Sequence, residues 1–242
     1  MRFIYNTIFF QPLYNGLAFL TDLMPGGDIG LAVILLTIVV RVILFPLQHR
    51  MSHTQRRLKE LEPVLSEIKT KHADNRQKQA EEMMALYRAH GINPFSGFLL
   101  LLIQLPLLWA LYRVFQGGFD FDSSLLYSAV SPPTVANHLF LNIIDLTKRS
   151  IWLAILAGVS QFWQLKVALP PPPPPTKTAL PPSLSSDLAK NMQKQMRYTL
   201  PGLVFIFSLS LPSAIALYWV TSNLFGLVHE LVVRRQIKRP QM

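Results

Sequence analysis

Residues 198–229 read YTLPGLVFIFSLSLPSAIALYWVTSNLFGLVH, thirty-two positions without one Asp, Glu, Lys or Arg. A bilayer core about 30 Å thick is crossed by about 20 helical residues, so this stretch is too long for one span. Leu211-Pro212-Ser213 lies near its middle. Proline breaks a helix, and the residue before it avoids helical dihedrals. The stretch therefore predicts a tight helical hairpin, one arm over 196–211 and the other over 213–233.

Working outward, three more stretches have the composition of a span. Residues 29–47 are interrupted only by Arg41. Residues 94–115 carry Gln104 as their main polar side chain and Arg113 near the end. Residues 150–165 form a weaker third candidate. The count is five spans. Those over 150–165 and 196–211 are short, about 16 residues or ~24 Å, so flanking residues snorkel or the bilayer thins around them. Residues 5–23 are apolar but broken by Pro12 and dotted with Asn6, Gln11, Asn15 and Asp22. Two readings are open for them, a cleaved signal peptide or an amphipathic helix lying in the membrane interface. The second fits better, because Arg2 is the sole basic residue ahead of the apolar run.

Composition agrees with a membrane protein. Of 242 residues, 50% are hydrophobic and 15% charged, and mean hydropathy is +0.30. A soluble domain carries about 25% charged residues, and a disordered chain is far less apolar. The formal net charge is +10 and the pI about 10.0. In so apolar a chain this excess reads as membrane topology, not as specific nucleic-acid binding. There is no cysteine, which excludes disulfides, thiolate metal sites, cysteine nucleophiles and lipidated cysteines.

Basic residues orient the chain. Nine Lys or Arg fall in 49–93, five between Lys166 and Arg197, and four in 234–239, against Arg2, Lys148 and Arg149 on the other side. Positive-inside counting puts the N-terminus outside and the C-terminus in the cytoplasm, as five spans require. The expected division is an interfacial helix and turn over 1–27, a five-span core over 28–233 and a basic tail over 234–242. Within the core lie a cytoplasmic helical hairpin at 49–93, an outer loop at 116–149 and a Pro-rich cytoplasmic loop at 169–195. In the hairpin, Leu58, Leu61, Leu65 and Ile68 recur at helical spacing, as do Ala80, Met83, Met84 and Tyr87. Ala73-Asp74-Asn75 is the predicted turn, Gly91 a C-cap, and Pro63 a kink. A bland surface hairpin and a charged platform for incoming chains are both open. Prolines 170–175 are read as an extended spacer, with a ligand for a proline-binding domain as the alternative.

Arg41 carries the functional argument. It lies about 18 Å along the helix from Ile29 and about 9 Å from Leu47. Guanidinium stays charged, and burying it mid-helix costs about 2.5–3.5 kcal/mol on the insertion scale. Either it snorkels to cytoplasmic headgroups, or it faces a wet cavity in the bundle. Gln104, Gln161, Gln164, Ser208 and Asn223 also lie within spans and should face inward, the amides either toward a wet cavity or into Gln–Gln packing contacts between helices. No intramembrane carboxylate is at hand, since Glu230 is at the far end of the last span. A lone cation in a polar bundle suits a negative guest that arrives and leaves.

Five stretches then carry a resemblance: 34–47 (ILLTIVVRVILFPL), 82–93 (EMMALYRAHGIN), 102–112 (LIQLPLLWALY), 196–201 (MRYTLP) and 211–224 with LPSA and LYWVTSNL. In this order and spacing the chain resembles the YidC/Oxa/Alb family of membrane protein insertases over nearly its whole length. The resemblance implies an all-α fold, with five transmembrane helices around a hydrophilic groove open to cytoplasm and lipid. Arg41 would be the central groove residue. Gln104 and Gln161 would hydrate the groove, and Trp219 would line it. It implies no catalytic residue, no metal and no cofactor. It implies a multi-pass protein of the plasma (inner) membrane. Expected partners are nascent membrane proteins and membrane lipids, with the ribosome and the Sec translocon as further candidates. Gly97-Phe98 stands where the family has a glycine-cysteine pair, and the proline run is unusual for it. Without a large outer domain or a lipidated cysteine, a minimal bacterial YidC type is expected. An anion transporter and an intramembrane enzyme are the rivals. Neither inverted repeats nor an HExxH or GxSxG motif is present to favour them.

Overall fold

The computed structural model describes residues 2–93, 96–117, 119–168 and 184–237; side chains at 2, 52–53, 55–56, 59, 96–103, 184–196 and 234–237 are not part of that description. Prolines 170–175, Pro181-Pro182 and the basic residues 238–239 lie outside the described residues, as does the side chain of Phe98. The chain is mostly helical and forms two compact units, 1–41 with 109–242, and 42–108.

The first unit opens with α1 (Arg2–Tyr5), a π-helical turn (Asn6–Phe10) and α2 (Gln11–Leu23). The wide turn has a cause in the sequence. Pro12 has no N–H, and its ring crowds the carbonyl four residues back. The extra residue in the turn lets Gln11 N–H donate to the Asn6 carbonyl, so the helix passes through the proline without stopping. Phe10, Leu13, Tyr14, Leu17, Ala18 and Thr21 are buried at three- and four-residue spacing, while Phe3, Ile4, Ile8, Phe19 and Leu23 are exposed. The polar side chains of α2 meet protein. Asn15 Nδ2 donates to Leu125 O (3.1 Å), its Oδ1 accepts from Tyr127 N–H (2.6 Å), and Asp22 Oδ1 accepts from Thr134 N–H (3.1 Å). Arg113 of α6 (Ser96–Gln116) donates to Asn6 Oδ1 (3.1 Å), with its guanidinium 4.4 Å from the Phe10 ring centre.

A turn at Pro25–Gly27 leads into α3 (Ile29–Glu60). Gly27 has φ +65°, and a Cβ there would overlap the carbonyl oxygen of Val135. Asn137 N–H donates to Gly27 O (2.8 Å) and Ile29 N–H to Asn137 O (3.1 Å). Asp28 caps α3 through Leu31 N–H (3.1 Å) and holds Leu141 N–H (2.8 Å) with its other oxygen. The loop over 116–149 adds β structure to the otherwise helical described residues, an antiparallel hairpin of β1 (Leu139–Phe140) and β2 (Ile144–Asp145) and a single bridge between Asn137 and Asp28. Leu141 and Asn142, both at positive φ, make its turn.

The break expected at Leu211-Pro212 is present: α8 (Leu184–Ser210) ends just before it and α9 (Ser213–Ile237) begins just after, but the two arms pack chiefly on the helix at 151–168 and only slightly on each other. The first N–H groups of α9 lack partners within their own helix. The loop over 116–149 supplies them: Ser213 N–H donates to Lys148 O (2.8 Å) and Ala214 N–H to Leu146 O (3.2 Å). The residue that starts this loop segment is itself pinned. Asp145 accepts from the Thr147 hydroxyl (2.6 Å) and amide (3.0 Å), and Lys148 Nζ lies 3.0 Å away. The Thr147 bonds and Lys148 hold its carboxyl down at about 2, from 3.8. A depressed acid stabilises the fold above its unfolded value and loses that contribution as pH falls through its folded value. Hydrogen exchange at the 147 amide is therefore expected to stay slow to about pH 4 and to quicken towards pH 2, beyond the intrinsic rate; Asp145→Asn should remove the dependence.

α7 (Ile151–Ala168) packs on both α8 and α9. Ala154 and Ala157 are fully buried, and a Cβ added at Gly158 would come within 3.2 Å of Phe205 Cβ and 3.3 Å of Pro201 O on α8. Small residues here allow close helix approach. The short-span expectation changes. α7 has 18 residues, and α8 has 27 because it starts at Leu184, inside the expected loop 169–195. Residues 184–196 contain neither Gly nor Pro, so nothing stops the helix where the apolar stretch ends.

The same lesson applies to α3, which was expected to end near Leu47 and instead runs on to Glu60 through Pro46. The proline forfeits one backbone bond, too little here to stop the helix. In the second unit the break falls at Leu61, two residues ahead of Pro63, which occupies the first turn of α4 (Glu62–Lys71). Proline is favoured there because that N–H has no helical partner anyway. α5 (Arg76–Ala89) returns. Leu61, Leu65 and Ile92 form the hairpin's core, with Leu58, Met83, Leu86 and Tyr87 against it. Leu86 takes the place expected for Met84, which is exposed. Gly91, at φ +62°, turns the chain so that Ile92 N–H reaches Tyr87 O (2.9 Å). At the tip, His72 and Lys71 both meet Glu82 (2.8 and 3.3 Å), and the His72 contact leads in lowering its carboxyl pKa. Asn75 caps α5 by accepting from Lys78 N–H (3.0 Å). Asn75→Ala should cost about 0.5–2 kcal/mol locally, read as faster hydrogen exchange over residues 76–79 with the rest of the hairpin unchanged.

Three helical stretches among the described residues are long and apolar enough to cross a membrane: Ile29–Met51, Ile151–Ala168 and Ser213–Val233.

Candidate functional site

Arg41 stands a little over three turns into α3, one turn beyond Thr37, whose buried hydroxyl donates back to the Val33 carbonyl (2.6 Å). The Arg41 side chain is half-buried, and its Nη2 donates to Ser222 Oγ on α9. Ser222 is 1% exposed. Arg41 Nε is buried and meets no acceptor among the described residues. No carboxylate among them pairs with the guanidinium either. The charge is thus held at one nitrogen by a neutral hydroxyl, on a helix whose next residues, Val42 and Ile43, are exposed and apolar.

A polar seam runs between α7 and α9. Asn223 Nδ2 donates to Ser160 Oγ (3.1 Å) and lies 3.4 Å from the Ala157 carbonyl; Ser160 donates to the same carbonyl (3.0 Å). Gln161, buried, donates to Gln164 Oε1 (3.3 Å). The Gln164 amide lies over Gly226, where a Cβ would collide with it. Each amide is satisfied by a neighbour, as burial in a low-dielectric interior demands. On α8, Ser208 is fully buried, with no partner for its hydroxyl among the described residues.

The four residues singled out in the sequence divide as follows. Arg41 joins α9 through Ser222. Gln161 sits in the α7–α9 seam. Trp219 is half-buried on α9, three residues before Ser222 and so on the same side of the helix. Gln104 is half-buried on α6, in the second unit. Among the described residues no three His, Cys, Asp or Glu side chains gather as metal ligands would.

With this geometry in view, the chain can be compared with known proteins. A sequence model of the family described as "60Kd inner membrane protein" matches residues 19–240. The chain belongs to that family. Three relatives share the name "Membrane protein insertase YidC". The Helicobacter pylori protein is 32% identical over 212 residues, 88% of this chain but 34% of the relative. The Fusobacterium nucleatum protein is 30% identical over 98% of this chain and 99% of its own length. The Oceanobacillus iheyensis protein is 30% identical over 96% and 84%. The chain thus spans about a third of the Helicobacter relative and nearly all of the Fusobacterium one. The resemblance read from residues 34–47, 82–93, 102–112 and 196–224 is the family relationship, and the chain is an all-α integral protein of the cell membrane.

Family membership does not point to Ser222, and neither did the sequence. A hydroxyl inside a span usually bonds the carbonyl one turn back on its own helix, as Thr221 does with Leu217 (2.9 Å). Serine is therefore a weak sign of a site. The available hint was three polar residues in succession, Thr221-Ser222-Asn223, in the middle of an uncharged stretch.

Proposed function

We propose that this family member is a membrane protein insertase, inserting and helping to fold nascent membrane proteins, and that it accepts polar substrate segments at Arg41. The observation that carries the reading is a half-buried guanidinium, in an apolar helix, held by one serine hydroxyl and facing no carboxylate among the described residues. A charge so held is available to an anion. The relatives' shared name gives the guest its class.

The physical task is to move a polar tail through about 30 Å of hydrocarbon, where its backbone and charges have no partners. A groove among five spans, wetted on the cytoplasmic side, shortens that path. Arg41 attracts an acidic tail into it, and Gln161, Trp219 and, by the family pattern, Gln104 supply its walls. The substrate's own apolar segment then enters lipid, each buried CH₂ contributing about 0.8 kcal/mol. No covalent step, nucleotide or metal enters this scheme, which is not enzymatic. The proposed topology has the N-terminus outside and the C-terminus in the cytoplasm. The N-terminal helix lies at the outer interface, its exposed Phe3, Ile4, Ile8, Phe19 and Leu23 toward lipid. The hairpin at 49–93 lies on the cytoplasmic side, where ribosome or Sec translocon would be met.

A photo-crosslinking side chain at position 219, half-buried on the side of α9 that carries Ser222, tests the reading. A stalled nascent chain with an acidic tail is expected to crosslink there, while the same probe at Trp152, highly exposed at the far end of α7, gives none. Equal yields at the two positions, or none at 219, would refute it.

A further inference from the structure

We propose that Ser222 is a positioning residue for Arg41: its hydroxyl holds the guanidinium against α9 and thereby sets the preference for acidic over neutral guest segments. The inference rests on the insertase reading above and deepens it.

A guanidinium presents five N–H donors in a rigid fork at the end of a long, flexible stem. Left alone on α3, such a stem swings along its helix to wherever the charge is best hydrated. In the structure it does not have that freedom, since Nη2 donates to Ser222 Oγ. Ser222 is fixed in turn, because it is 1% exposed within the packed α9. The polar residues flanking it are committed elsewhere, Thr221 to the Leu217 carbonyl and Asn223 to Ser160. Of the three successive polar side chains on α9, Ser222 alone turns to α3.

The chemistry of the anchor matters as much as its place. A carboxylate here would neutralise Arg41 and compete with any acidic guest. A hydroxyl accepts one N–H and leaves the full positive charge uncancelled. The remaining Nη donors then face a guest carboxylate from a fixed origin, so binding it does not require freezing the side chain anew. A neutral tail gains nothing from this arrangement.

The test uses the full-length protein in vesicles and two single-span substrates, identical except for Asp-Asp or Asn-Asn in the tail. Ser222→Ala is expected to slow insertion of the Asp-Asp substrate about fivefold and to leave the Asn-Asn substrate within about twofold. In an Arg41→Ala background, Ser222→Ala should cause no further loss, because the two residues act as one unit. Ser222→Thr, which keeps the hydroxyl, should recover most of the rate. If threonine is expelled from the packed position, seen as low membrane yield, the double-mutant cycle decides alone. Equal slowing of both substrates, or losses that multiply in the double variant, would mean that Ser222 only packs α9 and would overturn the proposal. An inert Ser222→Ala beside a damaging Arg41→Ala would overturn it and leave the insertase reading standing. An inert Arg41→Ala would instead bring down the groove-charge reading itself.

Discussion

Replacing Arg41 with alanine is expected to lower insertion of a substrate with a diacidic tail by about ten- to a hundredfold, while a neutral-tail substrate changes by less than about threefold. Two unit charges about 4 Å apart attract by ~4 kcal/mol at the effective dielectric of a partly solvated site. Desolvation of both ions cancels part of that. A residue of about 1.4–2.7 kcal/mol corresponds to the stated range, one factor of ten per 1.4 kcal/mol. Arg41→Lys retains the charge but loses the planar fork and the geometry of the bond to Ser222, so an intermediate rate is expected. Protease protection of the tail inside sealed vesicles measures all three. Alanine that inserts the acidic tail at the wild-type rate would remove the guanidinium from the mechanism.

Gly27→Ala should be strongly destabilising at the turn into α3. At φ +65° an L-residue costs about 1–2 kcal/mol, and the new Cβ must also overlap the Val135 carbonyl. Backbone oxygen cannot step aside as a flexible side chain can, so Asn137 and its two bonds to 27 and 29 must shift with it. The combined loss is expected to reach about 2–4 kcal/mol, and the thermal midpoint in detergent should fall by about 5–15 °C. Gly26 supplies the internal control. It has the same φ of +65° but open space around its missing Cβ, so Gly26→Ala carries the conformational cost alone. Equal midpoints for the two variants would show that the loop over 135–137 does not press on the turn in solution.

Part of this structure is legible in the sequence. The break at 211–212 is, because a proline inside an uncharged stretch too long for one span admits few other solutions. The extents of α3 and α8 are not. Composition marks where a segment changes from apolar to polar, at Leu47 and near Met196, but a helix ends only when its backbone geometry does: α3 breaks at Leu61, and α8 is already helical at Leu184. The role of the N-terminal segment was half legible. Its apolar run was clear, but nothing in it showed that Asn15 and Asp22 bond to a loop more than a hundred residues away. At the site, Arg41 is conspicuous because charge in an apolar run is costly. Ser222 is not, since its importance lies in which helix its hydroxyl faces, and a linear pattern does not record that.

The seam between the loop over 116–149 and the starts of α3 and α9 is made largely of peptide groups, at Gly27, Ile29, Asn137, Leu146, Lys148, Ser213 and Ala214. Recognition of this kind reads chain path and ignores side-chain identity. Most positions of that collar therefore tolerate a change of side chain as long as the trace is kept; Gly27 is the exception, because an added Cβ there meets the Val135 carbonyl.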